Sequence, residues 1–237
     1  MRFRNIERLV LIRHGQSKKN IEETGPFYKN NAQRERVGIF QDRLIPLTPN
    51  GLKQAKKVGK ALKKLFGVPE KLFHSGYVRT KQTTGGILGA YSDTELQRIK
   101  VKENHLIRER NPGYLWNFTE AEVQEVFPWW GTHWYYADPF VTVPIGGESI
   151  ASMCEGRLSL FFRNLDEEFS DSCDGGTVFL VSHGRAILGM RYLLENWNYD
   201  QMCGALKNGN PPNCSVTYYS FDSSGNPRLE FANKVFR

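Results

Sequence analysis

The chain has 237 residues, 40% of them hydrophobic, with 32 basic and 25 acidic residues and a net charge of +7. That composition supports a substantial core and excludes a disordered, collagen-like or coiled-coil chain. No apolar run approaches the roughly 20 residues that cross a bilayer and the start lacks a signal-peptide core, so a cytoplasmic protein with no membrane partner is expected.

In chain order, residues 8–12 read as a short buried strand that ends at Arg13, His14 and Gly15. "LTPNGLKQAKKVGKALKKLF" (47–66) is a helix with Thr48 or Asn50 as its cap. Leu52, Ala55, Val58, Gly59 and Leu62 form its apolar stripe, and its lysines face water. Residues 71–75 make a second strand, 77–90 a helix weakened by Gly85 and Gly86, and 97–101 a third strand. The stretch 104–147 holds four of the five tryptophans (Trp116, Trp129, Trp130 and Trp134) and one short helix, 119–127. It reads as a partly ordered insertion in a single domain spanning 1–237. A helix over 147–169 follows, then "TVFLV" (177–181), whose lack of alternation suits a strand buried on both faces. A helix over 184–197 and two closing strands, "CSVTYYSFD" and "PRLEFANKV", complete the chain. Alternating strands and helices predict an α/β fold with a mostly parallel sheet. In such sheets ligands lie beyond the carboxyl ends of the strands.

That rule brings two distant histidines to one crevice. Of five in the chain, His14 and His183 each follow a predicted strand and each precede a glycine, Gly15 and Gly184. Such glycines permit close backbone approach or unusual dihedrals and let a helix begin with N–H groups aimed at an anion. Arg13 adjoins His14, and Arg79 opens the helix after "LFHS", where a cation opposes the macrodipole. Binding a phosphate would explain that placement, because a guanidinium meets two oxygens at once. The alternative is an ion pair with a nearby carboxylate. Glu109, in "LIRERN", is either a general acid or an ion-pair partner of its flanking arginines. One chemistry uses all five. A neutral imidazole attacks phosphorus, two arginines and a second histidine balance the charge, and a carboxyl group carries the proton. No metal or other cofactor is required. Cys154, Cys173, Cys203 and Cys214 show neither CxxC nor metal-ligand spacing and read as free thiols. No nucleic-acid motif accompanies the basic charge.

"LIRHGQSKKN" resembles the signature of the histidine phosphatase superfamily, which includes cofactor-dependent phosphoglycerate mutases and many phosphatases. "LTPNGLKQA", "HSGYVRTKQT", "LIRER", "GGES" and "VSHG" resemble further family segments in the expected order. The resemblance implies a three-layer α/β/α sandwich. It implies His14 as the phosphorylated nucleophile, Arg13, Arg79 and His183 as the phosphate pocket, and Glu109 as the proton donor. It adds Asn20 as a phosphate contact, with Ser17, Gln16 and the Gly184 N–H as further substrate-binding candidates. The mutase stretch around the acid departs here, since "RERNPGYLWNFTEAE" keeps Glu109 and Gly113 but loses the tyrosine-glycine-leucine order. Paired arginines expected further on give way to "PWWGTHWYYADP". The expectation is therefore a metal-independent phosphatase acting on a small-molecule phosphoester or a phosphoprotein. The alternatives are a phosphoglycerate mutase and a silent phospho-ligand binding domain. Trp116, Trp129, Trp130, Trp134, Tyr135 and Tyr136 either stack on the leaving group or pack the insertion, with His133 and Arg43 as rim contacts.

Overall fold

The computed structural model describes residues 2–3, 5–22, 32, 34–35, 41–130, 138–169 and 176–236. Six strands are found among them: β1 (Ile6–Arg13), β2 (Lys71–His74), β3 (Lys100–Glu103), β4 (Gly176–Ser182), β5 (Val216–Phe221) and β6 (Pro227–Lys234). They form one sheet in the order β3-β2-β4-β1-β5-β6. The pairs β1–β4, β4–β2 and β2–β3 are parallel, while β5 and β6 close one edge antiparallel. The predicted α/β class with a mostly parallel sheet is what the molecule has. No helix of the described residues is long and apolar enough to cross a membrane.

Strand periodicity sorts the core into two layers. Side chains alternate across a strand, so Leu9, Leu11, Val178 and Leu180 line one face, and Val10, Ile12, Phe179 and Val181 the other. Every residue of β4 is buried, as its unbroken apolar run requires. On the Val10 face lies helix α1 (Pro49–Phe66), contributing Ala55, Val58, Leu62 and Phe66, with Ile87 from α2 (Val78–Leu88). The Leu9 face is covered by α4 (Ser159–Glu167), α5 (Gly184–Glu195) and α6 (Tyr199–Lys207), through residues such as Phe161, Phe162, Ile187 and Met202. α3 (Glu120–Val126) lies in the predicted 119–127 helix, closed by a capping box between Thr119 and Glu122.

Three expectations shift, and one element is added. Leu52, placed in the α1 stripe, is 41% exposed, and Gly51 is the buried residue of that first turn. β3 begins at Lys100, three residues beyond Gln97, the predicted start; its four residues are exposed, so no periodicity marks it. The long helix over 147–169 is broken by a π-helical turn, Cys154–Leu158, between Ile150–Met153 and α4. Helix α6 was not foreseen, although Asn198 and Gln201 form a capping box at its start.

Candidate active site

The site begins with the strand pairing. Parallel register places Arg13 opposite Ser182, and His14 N–H continues the ladder to the Ser182 carbonyl at 2.9 Å. His14 and His183 therefore leave adjacent strands at the same level. Their rings meet edge to face with centroids 5.2 Å apart.

Glycine at 15 is fixed by crowding rather than by dihedral. A Cβ there would stand 2.6 Å from the Gly51 carbonyl oxygen, and one on Gly51 would stand 2.1 Å from the Gln16 carbonyl oxygen. The start of α1 thus abuts the loop that carries His14. Thr48 caps α1 by accepting from Gly51 N–H at 3.0 Å, and its own N–H donates to the Gln16 carbonyl at 2.9 Å. Gly184 is likewise crowded, with Asn210 Oδ1 only 2.3 Å from where a Cβ would be. Neither Gly15 nor Gly184 has a positive φ, so the unusual-dihedral expectation does not apply.

His14 Nδ1 lies 2.7 Å from its neighbour's carbonyl, Gly15 O. A carbonyl only accepts, so Nδ1 carries the proton and Nε2 keeps a lone pair. Burial, then Arg79 and Arg13, hold the His14 pKa well below the usual imidazole range. His183 is held neutral in the same way, by burial first and then Arg79. Its tautomer follows from a hydroxyl relay. Thr80 Oγ1 donates to Tyr77 O at 2.8 Å, so it accepts from Ser75 Oγ at 3.0 Å. With that proton committed, Ser75 Oγ accepts from His183 Nε2 at 2.7 Å. Neutral His183 then has a bare Nδ1, which is buried and without a partner, as is Arg13 Nε. Two orphaned polar atoms beside the neutral His14 imidazole call for a ligand.

The predicted arginines sit as follows. Arg13 is half-buried and donates through Nη1 to Pro211 O. Burial and the charges of Arg79 and Arg185 lower its pKa, against Glu109, which raises it. Arg79 is 5% exposed and is paired with Asp42, as the ion-pair alternative anticipated. Glu109 makes no hydrogen bond to its flanking guanidiniums in the described contacts. Its Oε1 accepts from the N–H of Arg110 at 2.9 Å and of Ala186 at 3.1 Å, and its Oε2 from Arg185 N–H at 3.3 Å. The Glu109 carboxyl group thus sits on backbone amides at the start of α5, tied to the helix that follows His183.

Asn20 Oδ1 accepts from Ser17 N–H and Oγ, both at 3.0 Å, and from Asn213 Nδ2 at 3.2 Å, so its amino group is the donor end left over. Ser17 Oγ is spent on that contact. Gln16 turns its Oε1 to Thr48 Oγ1 and Asn50 Nδ2, at the α1 terminus. In the tryptophan-rich stretch, Lys19 Nζ donates to Trp116 O at 2.5 Å and lies 5.4 Å from that ring's centroid, joining the stretch to the loop after His14. Trp129 is 71% exposed, and Arg43 bonds Gln41 rather than a pocket residue. His133, Trp134, Tyr135 and Tyr136 lie outside the described residues.

Several site residues escaped the sequence reading. Thr83 accepts from Gly15 N–H at 3.0 Å and donates to Arg79 O at 2.7 Å. Asn213 Nδ2 reaches His14 O at 3.2 Å. Arg157, 9% exposed, donates to the carbonyls of Leu106, Arg108 and Glu109 and forks onto Glu148, so the "GGES" glutamate holds the loop that carries Glu109. Burial raises the Glu148 pKa, yet the Arg157 hydrogen bond and charge bring it below the usual range.

A model of the histidine phosphatase superfamily, branch 1, matches residues 9–234. The chain is 28% identical over 190 residues to a 2,3-bisphosphoglycerate-dependent phosphoglycerate mutase of Cytophaga hutchinsonii, covering 79% of this chain and 76% of that one. It is 28% identical over 189 residues to the enzyme of that name from Rhizobium etli, covering 79% of each. Among solved structures, a mycobacterial glucosyl-3-phosphoglycerate phosphatase in complex with VO3 superposes with TM-score 0.72 at 22% identity over 96% of this chain and 98% of that one. Bacillus stearothermophilus YhfR superposes with TM-score 0.72 at 20% identity over 96% and 97%.

Proposed function

Because the chain belongs to the histidine phosphatase superfamily, branch 1, we propose that it hydrolyses phosphomonoesters through a phosphohistidine on His14. The observation that carries the reading is the His14 Nδ1 bond to Gly15 O, which leaves Nε2 as a lone-pair nucleophile in an imidazole kept neutral. Nε2 attacks phosphorus, the bond to the leaving oxygen breaks, and Glu109 gives that oxygen a proton. Water then loses a proton to Glu109 and attacks phosphorus. The N–P bond breaks, inorganic phosphate departs and His14 is restored. Arg13 and Arg79 balance the charge that develops on the phosphoryl oxygens, a task that metal ions perform in many phosphoryl-transfer enzymes, and His183 turns its bare Nδ1 to a protonated phosphoryl oxygen as an acceptor. The orphaned Arg13 Nε, a donor, and His183 Nδ1, an acceptor, support this assignment. Asn20 and the Gly184 N–H serve as further phosphate contacts, while Ser17 and Gln16 brace the loop.

The substrate is a small-molecule phosphoester, as glucosyl-3-phosphoglycerate is for the mycobacterial phosphatase of similar fold. We take residues 1–237 as one domain whose 104–147 insertion supplies Glu109 and covers the mouth, supported by the Lys19–Trp116 contact. Free thiols at Cys154, Cys203 and Cys214 support a reducing, cytoplasmic setting. The curated relatives favour a second reading, a phosphoglycerate mutase.

A phosphomonoester panel, run with and without EDTA, tests the proposal. Hydrolysis insensitive to chelator is expected, with a rapidly quenched phosphoprotein that is acid-labile and alkali-stable. His14→Ala should lose that species and about a thousandfold or more in kcat. Isomerisation of 3-phosphoglycerate stimulated by 2,3-bisphosphoglycerate, outpacing hydrolysis, would select the mutase instead.

A further inference from the structure

Arg79 is oriented by a residue that the mechanism has not yet used. Asp42 lies on a short 3-10 turn, Asp42–Leu44, ahead of α1. Its backbone carbonyl accepts from Arg79 Nη1 at 2.5 Å, its Oδ1 lies 3.2 Å from Nη1, and its Oδ2 accepts from Nη2 at 3.3 Å. A guanidinium has five N–H donors in a fixed plane. Asp42 takes one from Nη1 and one from Nη2, with its Oδ1 at ion-pair distance from Nη1. The Nε–H and the second Nη2–H are left, side by side on one edge, at the spacing of two phosphate oxygens. The guanidinium also rests on the Tyr77 ring, 4.7 Å from its centroid. Its aim is therefore set before any substrate arrives.

The same contact brings a negative charge to the wall of an anion pocket. Asp42 is partly exposed, with Arg79 as its described ion-pair partner. Its carboxylate offsets one of the two guanidinium charges that His14 faces. A phosphoryl group still binds there, because Arg13 and the Arg79 edge remain. A second anionic group on the substrate beside that contact meets the like charge of the Asp42 carboxylate.

We infer that Asp42 is a positioning and specificity-determining residue, which aims the Nε–Nη2 edge of Arg79 at the transferring phosphoryl group and selects phosphomonoesters lacking a second anionic group beside the scissile phosphate. The inference rests on the phosphomonoesterase reading and narrows it. Aim matters most where the phosphoryl charge is redistributed, in the transition state. Charge matters in every state. Removing the carboxylate should thus move catalysis and anion binding in opposite directions, which a merely structural brace does not do.

Asp42→Asn in the full chain is the test, read by kcat on p-nitrophenyl phosphate, by Ki for inorganic phosphate, and by the kcat/KM ratio of 3-phosphoglycerate to p-nitrophenyl phosphate. We expect kcat to fall about tenfold, Ki to fall about tenfold, and the ratio to rise about tenfold. Asp42→Glu keeps the charge but not the geometry, so it should lose kcat with Ki and ratio unchanged. Phosphate binding that weakens along with kcat in D42N, or a ratio that does not move, overturns the inference. Circular dichroism checks the fold of each variant, with D42S standing in should D42N unfold. If the unmodified protein hydrolyses no phosphomonoester, the phosphatase reading fails. Calorimetric phosphate binding to it and to D42N then still decides whether the Asp42 charge acts.

Discussion

Two imidazoles, buried and neutral, give the molecule a pH dependence that can be signed. His14 and His183 have folded pKa values well below 6.5, because burial and the Arg79 and Arg13 charges oppose protonation. Unfolding frees both to titrate at the ordinary value. Below 6.5 the unfolded chain therefore binds up to two more protons than the folded one, and stability is lost as pH falls. Above 6.5 neither state protonates them, so their contribution is constant. The limiting slope is about 2.7 kcal/mol per pH unit for the pair. Urea midpoints measured between pH 7.5 and 5 should show it, and His183→Gln should remove about half. A slope equal in the variant and the parent would mean that His183 is not buried neutral. The residue scale also shows what sequence alone could read. His14, Arg13, Arg79 and His183 were legible because strand ends in an α/β sheet share one rim. Asp42, Asn213 and Arg157 were not, since their roles depend on contacts across 37 to 199 residues of chain.

The element that most constrains the site is the first turn of α1. Its cap, Thr48, is locked both to Gly51 and to the Gln16 backbone, and Gly51 leaves no room for a side chain. Thr48→Ala should cost about 1 kcal/mol, the usual value of a lost cap, with modest loss of activity. Gly51→Ala should do more damage to catalysis than to the helix. The added Cβ would push the Gln16 carbonyl and with it the loop holding His14, although alanine is the better helix former. Unfolding curves and kcat of the two variants side by side check this; equal catalytic losses would refute it. Elements were legible in proportion to their burial. β4, buried throughout, was found within one residue at each end. β3, exposed throughout, was misplaced because its position is set by pairing with β2. Leu52 fits the helical spacing, but its side chain lies at the end of the helix where the core side is a glycine contact.

At the scale of the whole molecule, the sheet order explains why the site is composite. β1 sits between β4 and β5, so the N-terminal strand carrying His14 is completed by segments from the last third of the chain. Glu109 arrives separately, from the loop after β3, and is tied to α5 by backbone amides. Two cores on opposite faces hold these parts in register.

That order has a consequence in time. A nascent chain makes β1 first, yet neither of its sheet neighbours exists until residue 176 has been added. At ordinary elongation rates of about 5–20 residues per second, the strand waits on the order of 8–30 s with its Leu-Val-Leu-Ile run unpaired. Long-range parallel pairing is also intrinsically slow. During refolding from urea, hydrolytic activity should return with the slowest phase, after most helical ellipticity has recovered. Activity that reappears with the earliest phase would show that the two histidines meet before β1 finds its place. A holding chaperone supplied during synthesis should raise the yield of active enzyme.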